Sequence, residues 1–138
     1  MMLSNCIDSL YRVSYRMAYP VWKFYLRQFQ TRSQSAEVAL WSNSRLLLIR
    51  NSYRQTYTFP GGFIHSDEDT ATAAIRELYE ETGVSVKASQ LRFSFACSYN
   101  IGRYEGHDDI YECQLADMPA LHVDNREVVE AQFMTVDT

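Results

Sequence analysis

The chain has 138 residues and a formal net charge of −4, with 46% hydrophobic and 22% charged residues. This length suits one domain with a sizeable core and is too short for two ordinary domains. The acidic balance argues against nucleic-acid binding through the field of the protein alone, because DNA and RNA are polyanions. Residues 1–33 hold five basic groups and one acid, so the acidic charge belongs to the rest of the chain.

The cysteines and the apolar segments indicate where in the cell the protein is expected. Cys6, Cys97 and Cys113 are odd in number and show no CxxC spacing. We interpret them as reduced packing residues, with a bridge between Cys97 and Cys113 across a hairpin as the alternative. The N-terminal stretch shows neither an apolar run of membrane-spanning length nor a secretory cleavage pattern. We therefore expect a cytoplasmic protein.

Residues 1–35 are predicted to form an N-terminal amphipathic helical extension. Basic residues recur there at spacings of four, seven and four, which keeps them on one helical face: Arg12, Arg16, Lys23 and Arg27. Pro20 is expected to kink or divide the helix near Tyr19. The segment Thr31–Ser35 reads as a polar linker. Three roles remain open for the helix, which are packing on the domain, a homodimer interface and contact with a membrane surface.

Residues 36–138 are predicted to form a domain of the α/β or α+β class with a mixed sheet. A central helix is expected between Asp69, a good N-cap residue, and Gly83, a good helix stop. Leu91–Tyr99 is long enough for a central strand, and Asn100–His107 looks like a hairpin loop. The strand-like segments are Glu37–Trp41, Leu46–Arg50, Val84–Val86, Leu91–Tyr99, Asp109–Leu115 and Val128–Val136.

Three glutamates near the end of the central helix form an unusual cluster. At about 100° per residue, Glu77, Glu80 and Glu81 span roughly a third of the helix circumference. They lie beside the apolar stripe formed by Ala71, Ala74, Ile75 and Leu78. Like charges at this spacing repel one another, and partial burial increases the cost. A divalent cation would reverse the interaction, and Mg²⁺ prefers such oxygen ligands. Without further context, a solvated acidic helix face is the simpler interpretation.

The residues around the cluster supply that context. Gly62, Glu68, Arg76-Glu77, Glu80-Glu81 and Gly83 have the spacing GX5EX7REUXEEXGU, where U is aliphatic. This resembles the signature of the Nudix hydrolase family at every position. The resemblance covers about residues 36–138 and includes the turn Pro60-Gly61-Gly62. Family members usually close with a helix after the last strand, whereas this sequence stops at Thr138. Either the sequence is truncated, or the N-terminal helix covers that surface.

The resemblance implies an α/β/α sandwich and a pyrophosphohydrolase that uses Mg²⁺, with Mn²⁺ as an alternative. The implied metal ligands are Glu77, Glu80, Glu81 and the carbonyl group of Gly61. Glu77 or a loop glutamate would help to activate water, and Arg76 would orient the catalytic carboxylate. Glu68 would support the motif, while Gly62 and Gly83 would serve the backbone geometry.

The expected substrate is a nucleoside diphosphate linked to another moiety, cut by water attack at phosphorus. Candidate substrate-binding residues are Arg50, Arg54, Tyr57 and Phe63, and the run His107-Asp108-Asp109 is either an acid/base cluster or a solvated hairpin start. Two alternatives remain, namely a non-catalytic nucleotide-binding or sensing module and an RNA 5′-end pyrophosphohydrolase. The acidic body disfavours the second. The expected partner is a small nucleotide rather than nucleic acid.

Overall fold

A long helix precedes a mixed six-stranded sheet in the computed structural model, which describes residues 2–29 and 31–136. The elements in chain order are α1 (Met2–Gln28), β1 (Thr31–Ser42), β2 (Arg45–Asn51), β3 (Gly61–Phe63), α2 (Thr70–Thr82), a short 3₁₀ turn (Ala88–Gln90), β4 (Leu91–Ile101), β5 (Tyr104–Leu115) and β6 (Val128–Thr135). This arrangement confirms the predicted α+β class with a mixed sheet. No helix among the described residues is long and apolar enough to cross a membrane.

The sheet has the order β4-β5-β1-β2-β6, and β3 pairs with β1 away from this path. β1 and β5 run parallel over twelve residue pairs, from Thr31↔Tyr104 to Ser42↔Leu115. The other pairings are antiparallel. This topology sets β3, and with it the turn at Pro60-Gly61-Gly62, beside the middle of β1.

Helix α2 begins and ends as its sequence predicts. Asp69 accepts a hydrogen bond of 2.7 Å from the backbone N–H of Thr72, and Gly83 adopts φ 73° just after the last turn. Only glycine takes this left-handed conformation without steric cost. The buried face consists of Ala73, Ala74, Leu78 and Thr82, while Ala71 and Ile75 are partly buried at its edge.

The hydrophobic core lies between α2 and the central strands. Its buried members come from β1, β2, α2, β5 and the segment after α2: Ala36, Val38, Leu40, Leu47, Ala73, Ala74, Leu78, Val84, Val86 and Cys113. Val84–Val86, which the sequence predicts to be extended, belongs to neither a helix nor a paired strand. Its two valines are buried because they cover the end of the core next to α2.

Several predicted boundaries are wrong. Thr31–Ser35 is the first part of β1 rather than a linker, and its polar alternation reflects a strand with one exposed face. The β4–β5 hairpin turns at residues 102–103, so the predicted loop Asn100–His107 is mostly strand. β4 lies at the sheet edge and is exposed along most of its length, although its length predicted a central strand.

The register of the β4–β5 hairpin also shows whether Cys97 and Cys113 can form a disulfide bond. Cys97 lies opposite Asp108, and Cys113 lies opposite Leu91. The two thiols therefore do not face each other, and all three cysteines are free.

Helix α1 continues through Pro20 without division. Leu26 is buried against the domain, whereas a strip of apolar side chains on another side of the helix remains exposed: Leu10, Val13, Met17, Val21 and Phe24. The helix therefore has one face on the domain and one apolar face directed away from it.

Candidate functional site

A cavity of about 690 Å³ lies between α1, β1, the loop after β2, β3 and α2. One part of its lining is acidic and contains six carboxylates: Glu37, Glu77, Glu80, Glu81, Asp108 and Glu127. Another part is aromatic and includes Tyr15, Tyr19, Trp22, Tyr53 and Phe63. The predicted glutamate cluster therefore faces a cavity rather than open solvent.

Arg76 organises the carboxylates at the start of this cluster. Its guanidinium donates to both oxygens of Glu68 at 2.6 and 3.1 Å, to Oε1 of Glu77 at 2.7 Å and to Oε2 of Glu80 at 3.3 Å. It also donates to the carbonyl oxygen of Phe63 at 3.0 Å. One arginine thus fixes two predicted metal ligands relative to the loop before α2.

Glu68 is held more firmly than any other partner of Arg76. Its side chain is only 10% exposed, and its Oε1 accepts a further hydrogen bond of 2.9 Å from the backbone N–H of His65. The hydrogen bonds from Arg76 and His65 lower the pKa of Glu68 to about 2. Glu68 therefore stays ionised and acts as a fixed anchor for the guanidinium.

Glu81 lies at the buried end of the cluster. Its Oε2 accepts a hydrogen bond of 2.8 Å from the backbone N–H of Gly61. Burial, together with the nearby Glu77 and Glu127, raises the pKa of Glu81 to about 8 against the opposing effect of that bond. Burial also raises the pKa of Glu77, despite its contact with Arg76. Burial and the neighbouring Asp108 raise the pKa of Glu37 to about 7.

The two glycines before α2 allow the backbone to approach closely. A Cβ atom on Gly61 would lie 2.4 Å from the carbonyl oxygen of Ala36. A Cβ atom on Gly62 would lie 2.6 Å from the carboxylate of Glu77. Side chains at these positions would therefore disturb β1 in the first case and the position of Glu77 in the second.

The chemistry of this donor set fits a hard divalent cation. Burial and the neighbouring carboxylates raise the pKa of Glu77 and of Glu81, and a bound cation would oppose this effect. Within residues 2–29 and 31–136, no three His, Cys, Asp or Glu side chains already have the spacing of a metal site. Glu77 and Glu80 instead contact Arg76, and Glu81 contacts the backbone N–H group of Gly61.

Only two of the four candidate substrate-binding residues lie at the cavity. Arg54 and Phe63 line the cavity, whereas Arg50 and Tyr57 do not. Arg50 instead donates to Oε2 of Glu130 at 2.9 and 3.1 Å, and Tyr57 accepts from Gln132 at 2.9 Å. In β2, Ile49 and Asn51 face the cavity, and strand alternation turns Arg50 the other way.

The run His107-Asp108-Asp109 is likewise divided by alternation along β5. Asp108 lines the cavity and accepts a hydrogen bond from Ser35. His107 contacts Ser98 at 2.8 Å and Asp109 at 3.2 Å outside it. The three residues therefore do not form one cluster, and they lie in a strand rather than at a hairpin start.

Sequence reasoning missed several residues of the cavity wall. Glu37, on β1, is an acid between Ala36 and the apolar run Val38–Trp41, which is a recognisable signal for a buried polar role. Glu127 lies just before β6, and its Oε1 accepts a hydrogen bond of 3.1 Å from the hydroxyl group of Tyr53. Three aromatic residues of α1 also line the cavity, namely Tyr15, Tyr19 and Trp22. Apart from their helical spacing, nothing in the sequence indicated that they do so.

The fold and the site define an α+β protein with a glutamate-rich loop–helix motif whose carboxylates line a cavity. Residues 31–138 match the NUDIX domain family, and the chain belongs to that family. It is also similar to a MutT-like protein of Streptomyces ambofaciens, with 39% identity over 56 residues, covering 41% of this chain and 36% of the relative. The chain thus spans about a third of the length of this curated relative.

Solved structures show the same fold at lower identity. A MutT/nudix family protein from Enterococcus faecalis superposes with a TM-score of 0.67 at 22% identity, over 76% of this chain and 44% of that chain. The NUDIX domain of Shewanella oneidensis NrtR, complexed with ADP ribose, superposes with a TM-score of 0.67 at 18% identity, over 78% of this chain and 75% of that chain. At these identities the likeness concerns the fold.

Proposed function

We propose that the protein hydrolyses a diphosphate linkage in a nucleoside diphosphate joined to another moiety, with Mg²⁺ or Mn²⁺ as cofactor. The observation that carries this proposal is the position of Glu77 and Glu81, which face the cavity from one side of α2 and are held by Arg76 and Gly61. Membership of the NUDIX domain family supports it.

Glu77, Glu80, Glu81 and the carbonyl group of Gly61 are the proposed metal ligands. When bound there, divalent cations would neutralise phosphate charge, polarise the phosphorus and lower the pKa of water. Glu80 is the most accessible of the three glutamates, with 56% of its side chain exposed, so it can turn from Arg76 towards a cation without disturbing the core.

The other residues of the motif have proposed positioning roles. Arg76 holds Glu77 and Glu80, while Glu68 holds Arg76. The N–H group of Gly61 fixes Glu81 against β3. These contacts pre-organise the carboxylates before substrate binds, and such pre-organisation is the main contribution a protein makes to phosphoryl transfer.

The shape of the cavity supports a nucleotide as substrate. Its acidic part suits cations that carry a diphosphate, and its aromatic part suits a base. The NrtR NUDIX domain with the same fold was solved with ADP ribose, which makes ADP-ribose the first substrate to assay. A cytoplasmic location, a homodimer and a membrane contact through α1 stay predictions of the sequence.

A substrate panel tests the proposed function. The panel contains ADP-ribose, nucleoside diphosphate sugars, a dinucleoside polyphosphate and 5′-triphosphorylated RNA, each with Mg²⁺ or Mn²⁺. We expect product formation by wild type, at least a hundredfold loss in Glu81→Gln, and no loss in Glu112→Gln, a partly exposed glutamate outside the cavity that pairs with Arg92. Equal rates for wild type and Glu81→Gln on every substrate would contradict catalysis. Saturable binding without turnover would favour the sensing module.

A further inference from the structure

Helix α1 lies outside the residues that match the family, yet one face of it forms part of the cavity wall. The lining residues are Tyr15, Ala18, Tyr19 and Trp22, which recur at i, i+3, i+4 and i+7. Residues with this spacing share one side of a helix. The cavity is therefore built from the family domain and from a helix in front of it.

The helix is attached to the domain at both ends of its cavity-facing segment. Towards its N-terminus, Asp8 pairs with Arg126 at 2.8 Å, and Arg16 donates to the carbonyl oxygen of Ser52 at 2.9 Å. Towards its C-terminus, the backbone of Arg27 lies so close to Gly102 that a Cβ atom there would be 3.0 Å from it. From Asp8 to Arg27 the helix spans about 29 Å at 1.5 Å per residue, and the cavity-lining residues 15–22 lie within this span.

Between these attachments, aromatic rings from α1 meet aromatic rings from the domain. We call these five residues the aromatic wall: Tyr15, Tyr19, Trp22, Tyr53 and Phe63. The rings of Tyr19 and Tyr53 are 4.8 Å apart, and those of Trp22 and Phe63 are 6.2 Å apart in an edge-to-face arrangement. Trp22 remains 38% exposed and Phe63 48% exposed. Residues that served only to attach the helix would be covered, so this remaining ring surface is available to a ligand.

Arg54 adds a polar group beside the aromatic wall. Its guanidinium lies 5.8 Å from the ring of Tyr19 and 5.7 Å from the ring of Tyr53, and it lines the same cavity. Its Nε atom is buried and has no hydrogen-bond partner in the described structure. A buried donor without an acceptor is unfavourable, and a phosphate or ribose oxygen of a ligand would satisfy it.

We propose that α1 forms the base-binding side of the substrate site, with Trp22 stacking on the nucleobase, Phe63 packing against the edge of the base and Arg54 donating to an oxygen of the same nucleotide. This inference rests on the proposed function, which places the diphosphate at the carboxylates. It adds a binding site for a different part of the substrate, the nucleobase. The carboxylates hold the reacting end, and the aromatic wall selects substrates that carry a base. Aromatic rings stack on any base. The aromatic wall should therefore distinguish nucleotides from sugar diphosphates that lack a base, but it should not distinguish one base from another.

The first test measures binding without catalysis. The chain has two tryptophans, Trp22 and Trp41, and Trp41 does not line the cavity. In the full-length Trp41→Phe protein with EDTA, we expect AMP to quench the fluorescence of Trp22 saturably and ribose 5-phosphate to leave it unchanged. Equal responses to the two ligands, or no response to AMP, would overturn the proposal.

The second test separates base binding from attachment of the helix. Trp22→Leu should weaken AMP binding, measured by calorimetry, about tenfold, whereas Trp22→Phe should retain most of the affinity. Phe24→Leu is the matched control, since Phe24 is 65% exposed and does not line the cavity. Unchanged AMP affinity in Trp22→Leu, or an equal loss in Phe24→Leu, would overturn the proposal.

Kinetics distinguish this inference from the proposed function. With ADP-ribose, Trp22→Leu should raise KM about tenfold and change kcat less than twofold, because the ring of Trp22 packs against Tyr19 and Phe63 and is not part of the proposed metal site. A fall in kcat with unchanged KM would contradict base binding. If no substrate is hydrolysed by wild type, the proposed function fails, and the AMP titrations still decide the role of α1.

Discussion

Gly62 lies directly against Glu77, and a Cβ atom on this glycine would stand 2.6 Å from both Cδ and Oε1 of the glutamate. The obstructing atoms are the end of a flexible side chain, so Gly62→Ala should displace the carboxylate rather than unfold the domain. We expect at least a tenfold loss of Mn²⁺ affinity, measured by calorimetry, with the melting temperature nearly unchanged.

Gly61→Ala provides the matched comparison. Its Cβ atom would meet backbone atoms of β1, at 2.4 Å from the carbonyl oxygen of Ala36 and 2.6 Å from Cα of Glu37. Backbone cannot move aside as a side chain can, so this substitution should destabilise the fold by about 1–3 kcal/mol, in the range of overpacked cores. Similar stability losses in the two variants would contradict the distinction between the two glycines.

These two glycines illustrate what the sequence could predict. The spacing of Gly62, Glu68, Arg76 and the three glutamates identified the motif, because all its residues lie within one loop and one helix. Glu37 and Asp108 join the same site from β1 and β5, which meet only through the parallel pairing of strands about seventy residues apart. No local pattern specifies such a pairing.

The errors at the sheet edge have a related cause. β4 carries Phe93, Phe95 and Tyr99, and such residues favour strands, but all three are exposed at the edge. Strand propensity therefore indicated the element and not its place in the sheet. The role of α1 was similarly hidden, since its helical spacing shows that Tyr15, Tyr19 and Trp22 share a face but not which surface that face meets.

Glu68 should stabilise the metal-free protein in a pH-dependent way. Its folded pKa of about 2 lies below the usual value of 4.5, so the folded state prefers the ionised form. This contribution is complete above pH 4.5 and is lost as the pH falls towards 2. In urea titrations with EDTA, the stability difference between wild type and Glu68→Gln should therefore be larger at pH 7 than at pH 3.5.

An exposed glutamate supplies the control for this pH dependence. Glu105 pairs with Arg32, but the two side chains are 45% and 77% exposed, and water screens such pairs. Glu105→Gln should therefore differ little from wild type at either pH. The opposite result is a free energy of unfolding that differs between wild type and Glu68→Gln by the same amount at pH 7 and pH 3.5. That result would show that the ion pair with Arg76 does not make stability depend on pH.

Removing residues 1–30 should affect folding or association more than metal binding. Deletion uncovers Tyr53 and Phe63, which contact α1, but leaves Glu77, Glu80 and Glu81 within the family domain. We expect a lower melting temperature or a changed oligomeric state in analytical ultracentrifugation, with Mn²⁺ affinity within about threefold of wild type. Unchanged stability and unchanged association after the deletion would argue against a structural role for the helix.

Arg54 and Arg50 are equivalent candidates in the sequence, and the structure predicts opposite outcomes for them. Arg54 lines the cavity with an Nε atom that has no hydrogen-bond partner among the described residues, whereas Arg50 is already bound to Glu130 through two hydrogen bonds. Methionine preserves much of the apolar stem of either arginine and removes the charged donors. Arg54→Met should therefore raise the KM for ADP-ribose about tenfold, in the range of one hydrogen bond to a charged group. Arg50→Met should leave KM unchanged and lower only the melting temperature. Equal KM changes in the two variants, measured under the same Mg²⁺ concentration, would contradict the placement of the substrate against Arg54.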